Sequence, residues 1–132
     1  MYSADLLDHF QNPRNAGEIE APDRTARLEN PVCGDILELT LRLDGDGNSD
    51  GSDHHASSAP KRIADIRFRA KGCVPVMACA SALTELVKGQ TLTAARQVSG
   101  EDVARKVGGL PQASTHASHL AVDALAQLLR DL

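Results

Sequence analysis

The 132 residues include 14 Lys plus Arg against 18 Asp plus Glu, a net charge of -4 that opposes a nucleic-acid or anionic-membrane partner. Only Tyr2, Phe10 and Phe68 are aromatic, so bases would find almost nothing to stack on, and the core must be aliphatic and alanine-rich. No apolar run approaches the ~18 residues of a membrane span, and the opening Met1-Tyr2-Ser3-Ala4-Asp5 lacks the basic and apolar parts of a signal peptide, so a cytoplasmic protein is expected.

In chain order, Tyr2 to Phe10 reads as an amphipathic helix capped by Ser3 and closed by the turn-forming run Asn12-Pro13-Arg14-Asn15-Ala16-Gly17. A first strand is expected at Arg24 to Leu28. Asn30-Pro31-Val32-Cys33-Gly34-Asp35 then forms a loop, and Ile36 to Leu43 alternates Leu37, Leu39, Leu41 and Leu43 against Glu38, Thr40 and Arg42, the pattern of a half-buried strand. Residues 44–62 are a run of Gly, Asp, Ser, Asn and His too poor in apolar side chains to pack, which predicts a flexible loop. His54 and His55 lie in it, where solvation is the ordinary fate of adjacent histidines.

A third strand is expected from Ile63 to Arg69 and a helix from about Pro75 to Lys88, with Gly89 as its stop. Thr91 to Val98 reads as a short helix or turn. Ser99 and Asp102 match a capping box that starts another helix, closed by Gly108-Gly109, and a last helix runs from about Ser114 to Leu129. This order predicts an α+β fold, a single domain over 1–132. An N-terminal helix precedes a three-stranded antiparallel sheet on which the C-terminal helices pack.

Three cysteines, an odd count, point to thiols or ligands rather than a disulfide framework. Cys73 falls on the corner between a strand and a helix, with Gly72 allowing a sharp turn and Pro75 suited to a first helical turn. The helix end is expected to favour its thiolate. In an antiparallel meander, the start of the second strand and the end of the third share one sheet edge. Cys33, Asp35 and Cys73 can therefore converge, and His116 joins them if the last helix docks its N-terminus there. Thiolate, imidazole and carboxylate together suit zinc or an iron–sulfur cluster, while the lack of C-x-x-C pairs argues against a closed zinc-finger site.

The ordered set Tyr2-Ser3, Asp8-His9-Phe10, Asn12-Pro13-Arg14-Asn15, Asn30 to Asp35, Gly72-Cys73, Thr84-Glu85, Val87-Lys88-Gly89, His116, Leu120-Ala121 and Asp123-Ala124 resembles the IscU/NifU-type iron–sulfur cluster assembly scaffolds, which include NifU N-terminal domains and SufU-related proteins. The resemblance implies a scaffold, not an enzyme. Such a scaffold takes sulfur from a cysteine desulfurase, binds iron, builds a [2Fe–2S] cluster and passes it to recipient iron–sulfur apoproteins. It implies Cys33, Asp35, Cys73 and His116 as the cluster and metal ligands; Cys79 and His119, which the resemblance does not supply, are lesser candidates from their own residue types. The alternative it carries is a zinc-dependent sulfur carrier of SufU type, a sulfurtransferase that accepts persulfide.

Three features depart from the family pattern. Ala117 stands where a third cysteine follows the histidine. Leu110-Pro111-Gln112-Ala113-Ser114 replaces the Leu-Pro-Pro-Val-Lys read by Hsp70-type chaperones, which argues against that route of transfer. Cys79 appears on the helix after Cys73, near the edge of its apolar face, as a substitute third sulfur or as a small core residue.

Overall fold

The computed structural model describes residues 2–31, 34–44 and 61–132. Strands β1 (Arg24–Asn30), β2 (Asp35–Asp44) and β3 (Arg62–Lys71) pair antiparallel in the spatial order β1-β2-β3. The alternation of β2 has the expected consequence, since Leu37, Leu39 and Leu41 are fully buried on one face. Each such leucine contributes on the order of 1.5–3 kcal/mol by leaving water.

The alternation of β3 is broken. Pairing passes from Arg42↔Asp65 directly to Leu43↔Ile63, so Ala64 is an extra residue in a β-bulge. Ile63 and Ile66, three positions apart, therefore both reach the core, together with Phe68.

Helix α1 (Ala4–Gln11) starts as expected at Ser3, whose hydroxyl accepts from the Leu6 N–H at 3.0 Å and donates to the Val107 carbonyl. Helix α2 (Val74–Val87) is buried on nearly every side, from Pro75 and Val76 through Ala78, Cys79, Ala80, Ser81 and Ala82 to Leu83, Thr84 and Val87. A helix so apolar all round belongs at the centre of a fold, and its alanines and serine let neighbours approach closely. It packs against α1, against β3 and against α5 (Thr115–Leu128), while α5 in turn covers β1 and β2. Two short helices, α3 (Leu92–Arg96) and α4 (Gly100–Lys106), connect α2 to α5; α4 carries the Ser99/Asp102 capping box in both directions.

One segment lies on the opposite side of the sheet. Ala16 bridges Phe68 on β3, and the following residues cross the outer face: the Ile19 N–H donates to Thr40 Oγ1 at 3.1 Å, and Arg42 donates to the Glu20 carbonyl at 2.8 Å. The crossing shields the middle of that face and leaves the end nearest Asp35 and Lys71 open.

Candidate metal centre

Three elements deliver one side chain each to the same end of the sheet. Asp35 opens β2, Cys73 is the N-cap of α2, and His116 lies in the first turn of α5. The register explains the first pair. Ile36 sits opposite Lys71, so the residue before Ile36 meets the residues after Lys71.

Asp35 is 2% exposed, and its Oδ1 accepts the Cys73 N–H at 3.1 Å. Its Oδ2 lies 3.8 Å from Cys73 Sγ and 3.5 Å from His116 Nε2, and that nitrogen is 3.8 Å from the same sulfur. A triangle with those sides has its centre roughly 2 Å from every corner, which is the length of bonds from zinc to sulfur, nitrogen or oxygen. Sulfur, imidazole and carboxylate therefore surround a space that a metal fits. It is the one such group among the described residues.

Gly72 makes the approach feasible. A Cβ there would stand 2.1 Å from Asp35 Oδ1, and the φ of +150° is one that side chains disfavour. Its glycine was legible as a turn residue, but the close contact with Asp35 has no signal in the sequence.

The protonation of Cys73 corrects an expectation. Burial, the largest effect, pushes its thiol above the ordinary value; a backbone hydrogen bond from Val76 opposes this, and the Asp35 carboxylate adds to the rise. The helix terminus does favour thiolate, as its backbone groups imply, but burial beside a carboxylate outweighs it. A cation bound between the three donors would reverse the balance, because metal coordination deprotonates a thiol.

Of the other predicted ligands, Cys33 lies outside the described residues, as do His54 and His55. Cys79 is in the hydrophobic core with 0% exposure, and burial pushes its thiol up to about 12, with the nearby Cys73 adding to the rise. His119 is exposed, with its ring against Gly100 at the start of α4, and is not one of the converging donors. Ala117, which stands in place of the family's third cysteine, is 1% exposed.

The family description "NifU-like N terminal domain" matches residues 1–131. This chain belongs to that family. Among its NifU-like relatives, the iron–sulfur cluster assembly scaffold protein IscU 1 of Archaeoglobus fulgidus is 38% identical over 131 residues, an alignment covering 99% of this chain and 76% of the relative. The protein of the same description, IscU, from Aquifex aeolicus is 32% identical, with 98% and 74% covered. The fold is shared with a NifU-like N-terminal protein of Brucella abortus, with TM-score 0.63, 22% identity and coverage of 97% and 91%. It is shared also with a SUF-system protein of Fervidobacterium islandicum, with TM-score 0.67, 19% identity and coverage of 98% and 96%. An N-terminal helix, an antiparallel three-stranded sheet and C-terminal helices are thus the family architecture, as the pattern of the sequence predicted.

Proposed function

We propose that this NifU-like chain is an iron–sulfur cluster assembly scaffold, for which the cluster is cargo to be built and passed on. The observation that carries the reading is the meeting of Asp35 Oδ2, Cys73 Sγ and His116 Nε2 within 4.8 Å, in a chain matched along nearly its whole length by proteins named as such scaffolds. Cys73 supplies a soft thiolate, His116 a borderline nitrogen and Asp35 a hard oxygen; Cys33, two residues before Asp35, is the thiolate that completes the set for a [2Fe–2S] cluster.

Such a set holds cluster iron less firmly than thiolates alone. Weak retention is what a scaffold requires, because its product must leave. Asp35 contributes twice, since one oxygen fixes the Cys73 backbone while the other faces the Cys73 sulfur and His116 Nε2, where it would be a ligand to iron. The partners that follow from this chemistry are a cysteine desulfurase as sulfur donor and apoproteins as cluster acceptors.

The reading is tested by purifying the protein without oxygen and measuring metal and sulfide. Iron with acid-labile sulfide and visible charge-transfer absorption is expected. A colourless protein with zinc, whose cysteine accepts persulfide sulfur, would identify the sulfurtransferase alternative instead.

A further inference from the structure

The two edges of the sheet are finished differently. Along β3 the chain itself supplies partners: the Phe68 N–H donates to the Asn15 carbonyl at 3.0 Å, and the Gly17 N–H donates to the Phe68 carbonyl at 2.8 Å. Further along, the Ile63 N–H donates to the Gln90 carbonyl and the Ile63 carbonyl accepts the Gly89 N–H. Along β1, Thr25, Arg27 and Glu29 have no backbone partner outside β2 among the described residues.

The register shows which groups this leaves open. Phe68 turns its N–H and C=O away from β2, so by the alternation of an antiparallel ladder Arg67 and Arg69 turn theirs toward Thr40 and Glu38. Leu37, Leu39 and Leu41 then face β1, where their partners are Leu28, Ala26 and Arg24. The N–H and C=O groups of Thr25, Arg27 and Glu29 therefore point outward, with neither a proline nor a bulge among them. An edge of that kind is a template for another strand.

We propose that a second copy of this chain occupies the edge, its β1 antiparallel to the first across a two-fold axis through Leu28. Charge chooses both the occupant and the register. With Leu28 on the axis, Arg27 of each copy stands opposite Glu29 of the other, both exposed and both on the outer face. Each opposed pair exchanges two backbone hydrogen bonds, because both residues belong to the outward set. An axis through Arg27 would instead set that residue against its own copy, a like-charge contact. Arg27 lies 3.7 Å from Glu38 of its own chain, a loose contact that leaves guanidinium donors for a second carboxylate. Leu28, half-buried against the core, meets its copy as a non-hydrogen-bonded pair, where facing side chains come closest. The helix layer leaves room. Because α5 packs over both β1 and β2, it stands about two strand spacings, roughly 10 Å, from its counterpart, an ordinary distance between packed helices.

Sedimentation equilibrium of the metal-free full chain, kept reduced so that no disulfide links copies, should show a concentration-dependent dimer. In hydrogen exchange the amides of Thr25, Arg27 and Glu29 should slow with rising concentration, while those of Ala26 and Leu28, already bonded to β2, stay as they are. Arg27→Glu and Glu29→Arg, each still folded by circular dichroism, should each weaken the dimer about tenfold or more, since every charged contact becomes like-charged. Mixed in equal amounts, the two variants should form a heterodimer as readily as the parent dimerises, because each supplies the charge the other lacks. A monomer at every concentration up to the millimolar range, a dimer whose slowed amides lie elsewhere, or a mixture as weak as the single variants would each overturn the inference. So would slowing of the edge amides only when an unrelated extended peptide is added, which would make β1 a docking strand for a foreign partner. No metal or cluster enters the measurement, so its result is independent of the scaffold reading.

Discussion

Asp35 and Gly72 occupy facing positions so close that a methyl group on residue 72 would stand 2.1 Å from Asp35 Oδ1. The absence of a side chain at 72 is what lets the Cys73 N–H reach the carboxylate at 3.1 Å, and it sets the separation of sulfur from oxygen. Gly72→Ala must therefore move either Asp35 or the turn ahead of α2. A loss of about 1–3 kcal/mol in denaturant unfolding is expected from the overlap and the positive φ together, with weaker iron or zinc binding by titration. Unchanged metal affinity would show that the donors are set independently of this turn.

The Asp35 carboxylate raises the Cys73 thiol, so its removal has a definite sign. In the metal-free protein, Asp35→Asn retains an oxygen for the Cys73 N–H but discards the charge, and the thiol should titrate at lower pH than in the parent. The rate of thiol alkylation against pH measures this in a Cys33→Ser, Cys79→Ala background. The loaded form should change in the other direction of use. If Asp35 serves as the exchangeable hard ligand proposed above, transfer to an acceptor should slow in this variant.

Cys79 and Ala117 test the missing third thiol. Cys79 has 0% exposure and a thiol pushed up to about 12 by burial, the properties of a core residue. Cys79→Ala should cost roughly 1 kcal/mol of packing and leave the lifetime of the cluster under chelator unchanged. Ala117→Cys, next to His116, should lengthen that lifetime. Collapse of retention in Cys79→Ala would show that this sulfur reaches the cluster.

His9 predicts a pH dependence away from the metal centre. Its ring is 5% exposed, with Nδ1 2.8 Å from Ser81 Oγ, which also accepts the Arg14 N–H at 2.9 Å. The Ser81 hydrogen is then free to point at Nδ1, leaving Nε2 as the N–H side, 3.6 Å from Glu85. Burial lowers the His9 pKa first, Arg14 and Lys106 lower it further, and Glu85 and Asp8 oppose them. The unfolded chain therefore binds the proton at higher pH than the folded one. Stability from this group is complete above the ordinary value of 6.5 and is lost as pH falls from there through the lowered folded value. Melts across that window should show the loss in the parent and a flatter profile in His9→Gln. Parallel profiles would remove His9 as the cause.

The sequence made the strands and helices legible wherever one periodicity ran unbroken. Leu37, Leu39 and Leu41 read as one face of β2, and the Ser99/Asp102 pair marked the start of α4 to the residue. The strand from Ile63 to Arg69 was readable, but not that Ile63 and Ile66 both face the core, because the Ala64 bulge is a property of pairing with β2 and leaves no local mark. Convergence of Asp35 with Cys73 followed from the meander, whereas the arrival of His116 depends on where α5 docks, which packing decides. The thiol expectation at Cys73 failed for a similar reason. A helix end is visible in sequence, but the burial and the facing carboxylate come from other parts of the chain.

Whether the chain builds a cluster is tested by anaerobic reconstitution with a cysteine desulfurase, cysteine, ferrous iron and a thiol reductant that converts persulfide sulfur to sulfide, followed by Mössbauer and visible spectroscopy. A [2Fe–2S] signature is expected in the parent chain, passing to an added apo-ferredoxin, and is expected to be lost from both Cys73→Ser and His116→Ala, each still folded by circular dichroism. A cluster formed and transferred equally well by folded Cys73→Ser and His116→Ala variants would contradict this expectation.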